Sequence, residues 1–465
     1  MSGEVAKRGA RAAAWLRAMT AHLPPAATVE YDIRPPNRAK TLFRGRFTLS
    51  HGRRRWRCRG AVRLTWAPDP VVHFQATVWS RTEVDLGDGR TLNIPGAAAA
   101  RASVTGATWI VRRTARGYVH GPLRIGRDGR VRAIRLHVAN FHHYIGKPAR
   151  FAGGGGGPVR LNLEDADWAI EFDERFDYSK IRDLLRTHGG YGVGHVAMIR
   201  RADGRQFKAA DADDLRTCLH VFLSFARGLW CGVIVAEGLG ARKPVWTEWT
   251  SHPLVTHWQG VSSWFPLDDA GTVGLAFRGF RALWTQPTWR QTLGEVVHWY
   301  IEANLNAGAI EGSLVLAHAA LERVSWVHLV GHRGRDAVAF DKLPSGRRIE
   351  ALLTDLQISS DLPALLAPDL FSWAGSHRFR SGPWAMSEVR NTLVHPRRRE
   401  ILRPTSPQVR IQARQLALRY VELALLALCG YTGKYVNRLH RGPTVTDATE
   451  TVPWAATGGA PASTS

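Results

Sequence analysis

From Tyr31 to about Ala149, apolar and polar residues alternate in short runs, as in RGRFTLSHGRRRWRCRGAVRLTW, VVHFQATVW, ATWIVRR and VRAIRLHV. Alternation at period two marks half-buried strands, so this stretch predicts a mainly β region. Its outward positions are often arginine, and one sheet face is therefore expected to carry guanidinium groups. GDGR at 87–90 and GRDGR at 126–130 read as turn or hairpin signals. The run GGGGGP at 153–158 reads as a flexible joint across which the composition changes. No Lys-Ser/Thr and helix follow it, as a phosphate-cradling loop would require.

Beyond the glycines the period becomes mixed. SKIRDLLRTHG predicts a short helix, and DADDLRTCLHVFLSFARG a longer one with Leu215, Cys218, Leu219, Phe222 and Ala226 on one stripe. GHVAMIRR, GVIVAEG and KPVWTEW read as strands around them. From about Thr288 the spacing is helical throughout. WRQTLGEVVHWYIEANL is followed by IEGSLVLAHAALERVSWVHLVG, whose Ile310, Leu314, Ala317, Leu321, Val324 and His328 recur every three or four residues. A polar loop, GHRGRDAVAFDKLPSG, separates these from RRIEALLTDL, SGPWAMSEVRNTLVH and a last long helix, SPQVRIQARQLALRYVELALLALCGY. That last helix turns apolar on nearly all faces and is expected at the centre of a bundle of four or five helices. The fold class predicted is thus multidomain α+β. Residues 1–152 form a basic β-rich domain with a short N-terminal helix, 158–285 a small α+β domain, 288–440 an all-α helical bundle, and 441–465 a disordered tail.

Composition supports a folded chain: 45% of the 465 residues are hydrophobic and 22% charged. No apolar run is long enough for a membrane span, and the N-terminus lacks the apolar core of a secretion signal, so the expected location is the cytoplasm. Cys58, Cys218, Cys231 and Cys429 form no C-x-x-C pair, which argues against a zinc ribbon or a disulfide framework. Among the 19 histidines, His142 and His143 adjoin, with His120 and His137 nearby. Neighbours on a strand point to opposite faces, so no metal and no cofactor is expected. Seven tryptophans, Trp230, Trp246, Trp249, Trp258, Trp264, Trp284 and Trp289, read as packing rather than as a base-stacking surface. The net charge of +24 is unevenly spread: residues 1–160 hold 29 basic and 8 acidic groups, a local +21. Either a polyanion partner or an Arg-rich solvated surface accounts for that excess.

One stretch, MSEVRNTLVHPRRRE at 386–400, concentrates chemistry. Five Arg-His pairs in the chain share the spacing of Arg390 and His395, so spacing alone proves nothing. Context sets this pair apart. It lies late in a helix that Pro396 ends, because the residue before proline is pushed out of the α region. Asn391 and His395 are four apart and share a face, and the long side chain of Arg390 can lean toward them. A guanidinium, an amide and an imidazole suit metal-independent RNA cleavage. Histidine moves protons near neutral pH, arginine stabilises charge on phosphoryl oxygens, and the amide orients either one. Arg397, Arg398 and Arg399 would then grip the flanking RNA backbone. An alternative stays open, with Arg390 as an interhelical ion-pair partner and His395 as a helix cap.

EVRNTLVHP, before a long apolar helix and after an ALE helix, resembles the signature of the HEPN superfamily over about residues 288–440. With its β-rich N-terminal part the chain is similar to ApeA-like HEPN proteins of bacterial anti-phage defence. The resemblance implies an endoribonuclease of a stress or abortive-infection system, with Arg390, Asn391 and His395 as the Arg-Asn-x3-His motif. It also implies a homodimer with a composite site, and partners that include RNA and a phage trigger or an antitoxin. Within the family an acidic residue from an earlier helix supports the site. Glu322 is the candidate here, with a helix-surface position or an ion pair to a basic neighbour as the other readings. Some HEPN-like domains serve instead as non-catalytic dimerising or nucleotide-binding modules.

Overall fold

The computed structural model describes residues 19–28, 35–80, 82–109, 113–152, 154–241, 243–398, 405–440 and 446–457. Two units result. The first comprises Met1–His220 and Cys231–Gln259, the second Val221–Trp230 and Gly260–Ser465.

The first unit opens with six strands, β1 (Lys40–His51), β2 (Arg54–Thr65), β3 (Val71–Val78), β4 (Gly87–Asn93), β5 (Ala100–Thr108) and β6 (Thr114–His120). They close into an antiparallel barrel in the order β1-β2-β3-β6-β5-β4. Alternation is what makes closure work: in VVHFQATV, Val72, Phe74, Ala76 and Val78 are buried while His73, Gln75 and Thr77 face outward. Gly60 and Gly117 allow tight backbone approach, since a Cβ there would lie 2.0 Å from the Gln75 carbonyl and 1.8 Å from that of Ser103.

An eight-stranded antiparallel sheet follows, built from β7 (Pro122–Gly126), β8 (Ala133–Ala139), β9 (Lys147–Arg150), β10 (Gly156–Glu164), β11 (Trp168–Glu174), β12 (Val193–Arg201), β13 (Val233–Leu239) and β14 (Pro244–Thr250). Its order is β7-β14-β13-β8-β12-β11-β10-β9. Helices α1 (Tyr178–His188) and α2 (Asp213–Arg227) lie where their sequence periodicity placed them. The barrel core runs on through Leu123, Tyr191, Val193, Ile234 and Trp249 of this unit.

Three expectations are corrected here. The glycine run does not separate domains: Gly156 and Gly157 begin β10 and pair with Arg150 and Ala149 of β9, so it forms a hairpin inside the sheet. Glycine is needed there for backbone shape, because Gly154 and Gly155 have φ of 93° and 77°. GDGR is no hairpin turn, since β4 pairs with β5 and β1 and not with β3. GRDGR likewise leaves β7 for β8, which are not neighbours; β7 pairs with β14.

Among the described residues the second unit is helical apart from one ribbon. Its helices are α3 (Val273–Trp284), α4 (Pro287–Asn304), α5 (Ala309–Trp326), the short α6 (Ala337–Asp341), α7 (Ser345–Asp355), α8 (Pro368–Ser376), α9 (Gly382–Val394) and α10 (Pro407–Leu428). A π-helical turn, Val327–His332, continues α5 to the end of the predicted helix, and α6 forms inside what the sequence presented as a polar loop. As its apolar surround predicted, α10 is buried along most of its length and packs on α4, α5, α8 and α9. The expected disordered tail is ordered in part. Thr449–Thr451 (β16) pairs with Lys434–Val436 (β15), and Trp454 is fully buried with its Nε1–H donated to the Tyr431 carbonyl at 2.6 Å. One tryptophan and Val452 supply the apolar anchor that the Thr- and Ala-rich composition obscured. The remaining tail residues, 441–445 and 458–465, lie outside the described residues, as do residues 1–18 of the expected N-terminal helix.

Of the seven tryptophans, all but the half-buried Trp258 belong to buried packing. The four cysteines are buried and form no disulfide with one another, and burial pushes the Cys58 thiol up to about 11. Among the described residues no helix is long and apolar enough to cross a membrane.

Candidate functional site

Helix α9 brings the motif into place. Ser381 caps its N-terminus, the Oγ accepting the Trp384 N–H at 3.4 Å, and Pro383 occupies the first turn, where no amide is needed. Ala385, Met386 and Val389 bury one face. Ser387 and Arg390, three residues apart, share another that meets His318 and Glu322 of α5, themselves four apart.

Those faces build a polar cluster in the bundle. The fully buried His318 has its Nε2 at 2.9 Å from the Ser387 hydroxyl and its Nδ1 at 3.2 Å from the Glu322 carboxylate. The other Glu322 oxygen lies 3.0 Å from an Arg348 nitrogen on α7. Burial alone would raise the Glu322 carboxyl, but His318 together with the charges of Arg348 and Arg390 holds it below its ordinary value. Glu322 is therefore an ion-pair partner within the bundle and also lies in the field of Arg390.

Arg390 is half-buried. Its Nη1 donates to Asn391 Oδ1 at 3.2 Å, while its buried Nε–H has no partner among the described residues. A buried guanidinium N–H without an acceptor is costly, a state that Arg390 shares with Arg348 and Arg419 of the same unit.

His395 leaves the helix. Its N–H makes the last helical bond, to the Asn391 carbonyl at 2.9 Å, and its own backbone is extended with φ −119° and ψ 108°. Pro396 enforces this shape, as expected from the sequence. The ring is exposed and makes no hydrogen bond or ion pair to a described residue, and the extended backbone removes His395 from the helical repeat that the sequence used to put it on one face with Asn391. Arg397 is exposed. Arg398 turns back, with its Nε 3.5 Å from the carboxylate of the largely buried Glu388, and Arg399 lies outside the described residues.

Sequence reasoning missed His318, Ser387, Arg348 and Glu388. The i,i+4 pair His318 and Glu322 in HAALE was a usable signal. Arg348 was not recoverable, because it comes from another helix with no local mark.

Elsewhere, His142 and His143 follow β8 in a loop rather than on a strand, and His143 Nδ1 lies 2.7 Å from Glu174. Burial drives the His137 imidazole down to about 3. Among the described residues no three or more His, Cys, Asp or Glu side chains are grouped to hold a metal ion. Ser103, Asp88 and His120 do meet, but the nearly buried Ser103 hydroxyl donates to Asp88 and also faces His120 Nε2 at 2.5 Å. A serine nucleophile would instead give its proton to the imidazole.

Residues 286–450, which contain Glu322, Arg390, Asn391 and His395, match the family described as the YopA C-terminal domain, and residues 126–261 match the YopA central domain. The chain is 26% identical over 441 residues to the SPbeta prophage-derived uncharacterized protein YopA of Bacillus subtilis (strain 168), covering 92% of this chain and 97% of that relative. No solved structure matches the chain.

Proposed function

We propose that the helical unit is a HEPN-like, metal-independent endoribonuclease of a bacterial stress or anti-phage system. The observation that carries this reading is an acceptor-less buried Arg390 Nε–H followed, five residues on and just past the helix end, by an exposed His395 ring without a hydrogen-bond partner among the described residues. In the proposed step the ribose 2′-oxygen attacks phosphorus as His395 takes its proton. The P–O2′ bond forms, the P–O5′ bond breaks, and the departing 5′-oxygen takes a proton from a second acid. Arg390, held by Asn391, faces the charge that grows on the phosphoryl oxygens. A homodimer would supply the second acid as the His395 of the other copy. The prophage origin of the YopA relative is in keeping with a role in conflict between phage and host, with a phage trigger or an antitoxin as regulating partner.

The test is cleavage of end-labelled single-stranded RNA in EDTA by wild type and His395→Ala with matched circular dichroism. Cleavage by wild type alone, leaving 2′,3′-cyclic phosphate ends, is expected; equal cleavage by both proteins would refute the assignment. A second reading, a non-catalytic dimerising module with a nucleic-acid- or protein-binding N-terminal region, draws on the ion pairs that already engage Glu322 and Arg398. It expects motif substitutions to change stability and nothing else.

A further inference from the structure

The barrel carries a charged surface that the cleavage chemistry does not use. Period two on β2 turns Trp56, Cys58, Val62 and Leu64 inward and leaves Arg55, Arg57, Arg59 and Arg63 exposed on one outer face. Cross-strand register completes the row. Arg46 of β1 lies opposite Arg59, and Arg44 lies opposite Ala61, the one position where β2 lacks its arginine. Beyond β3, Arg116 of β6 lies opposite Gln75. No Asp or Glu occurs in β1, β2, β3, β5 or β6. Among the described residues none of these seven arginines forms an ion pair; Arg46 alone has an aromatic partner, its guanidinium 5.1 Å from the Trp79 ring.

Like charges directly opposite each other in a sheet destabilise it. A face of uncompensated guanidiniums is therefore a cost that an anionic occupant relieves. Arg55, Arg57 and Arg59 follow one another two residues apart, about 6.7 Å along the strand, comparable to the step between phosphates on an extended single strand. Trp79 is 49% exposed and walls a hollow of about 490 Å³ with Arg46, Thr48, Arg57, Asn93 and Pro95. A second hollow of about 580 Å³ is lined by Arg44, Arg59, Arg63, His73 and Gln75. Stacking on an exposed aromatic ring beside a cationic track is how single strands are held without sequence readout. The hydroxyl and amides of Thr48, Asn93 and Gln75 are suited to ribose 2′-OH groups.

We propose that this face binds single-stranded RNA, with phosphates along the Arg55–Arg63 row and a base against Trp79. The proposal stands independently of cleavage at His395. It is tested on the full chain carrying His395→Ala, so that cleavage cannot consume the probe, by fluorescence anisotropy with labelled oligouridylate across a salt series. Replacing Arg55, Arg57 and Arg59 with Ser is expected to weaken binding at least tenfold more than the equal charge loss of Arg127→Ser, Arg130→Ser and Arg132→Ser. It should also flatten the salt dependence by about 2, at roughly 0.7 per phosphate contact. Trp79→Ala is expected to weaken binding several-fold with an unchanged salt slope, and the matching oligodeoxynucleotide and an RNA duplex are expected to bind less tightly. Equal losses in the two triple variants would overturn the proposal, as would equal affinity for the DNA strand. Binding to phosphatidylserine vesicles without binding to the oligonucleotide would overturn it as well.

Discussion

At Glu322 three basic side chains share one carboxylate: His318 and Arg348 in contact, and Arg390 through its charge. Because its folded pKa lies below the ordinary 4.5, the stabilisation is complete above that value and is lost as pH falls through the folded value. Glu322→Gln is accordingly expected to lower stability at pH 7 by roughly 2 kcal/mol, the scale of hydrogen bonds to charged groups. The gap to wild type should narrow as pH falls below 4.5 and close only below the depressed folded value, where both side chains are neutral. Urea titrations at the two pH values measure this, and a gap that persists in acid would mean that the carboxylate acts through its shape. The same residue shows how far the site could be read from sequence. Arg390, Asn391 and His395 stood out because helix, proline and spacing are local properties. The ties of Glu322 to Arg348, and of His318 to Ser387, join helices that are distant along the chain, and no window of residues contains them.

Two glycines on the helices of the second unit make opposite predictions. In α3, a Cβ at Gly279 would lie 1.8 Å from the Cys429 carbonyl just past α10, so backbone meets backbone there. Alanine gains about 1 kcal/mol of helix propensity. The clash, with no flexible side chain to yield, costs about 3 kcal/mol, and Gly279→Ala is expected to lose about 2 kcal/mol net. At Gly294 in α4 a Cβ meets nothing within 4 Å, so Gly294→Ala should gain up to about 1 kcal/mol. Shifts of the urea midpoint in opposite directions check both. Such glycines also explain what the sequence hid. Helix α3 escaped notice because its small residues blur the apolar stripe, whereas α4, α5, α9 and α10 were legible from theirs. Strands were legible in VVHFQATV and VRAIRLHV, whereas ATWIVRR runs from the end of β5 toward β6 with residues 110–112 outside the described residues; strand order was not legible, because β7 pairs with β14 across more than a hundred residues.

The discontinuity of the second unit decides which fragments can be assayed. Val221–Trp230 belongs to it, although the rest of α2 does not. The Phe222 ring lies 5.1 Å from Phe277 and 5.5 Å from Phe280, and Phe225 lies 5.3 Å from Trp264 and 5.5 Å from Tyr300. The Gly228 carbonyl accepts from Asn304 at 3.0 Å, and Ser263 donates to the Ala226 carbonyl at 2.8 Å. Two buried phenylalanines contribute roughly 3–6 kcal/mol, a large part of the 5–15 kcal/mol typical of a domain. A fragment of residues 260–465 is therefore expected to keep its helical far-ultraviolet signal while losing its near-ultraviolet signal and cooperative melting. Joining residues 221–230 to residue 260 through a short Gly-Ser linker should restore cooperativity, because Gly228 already approaches the Ser262 carbonyl. Identical cooperative melting of both fragments would show that the α2 segment is dispensable. Should it prove necessary, lack of toxicity or cleavage from a shorter C-terminal piece reports unfolding and leaves the chemistry of His395 untouched, so the motif is to be judged in the whole chain.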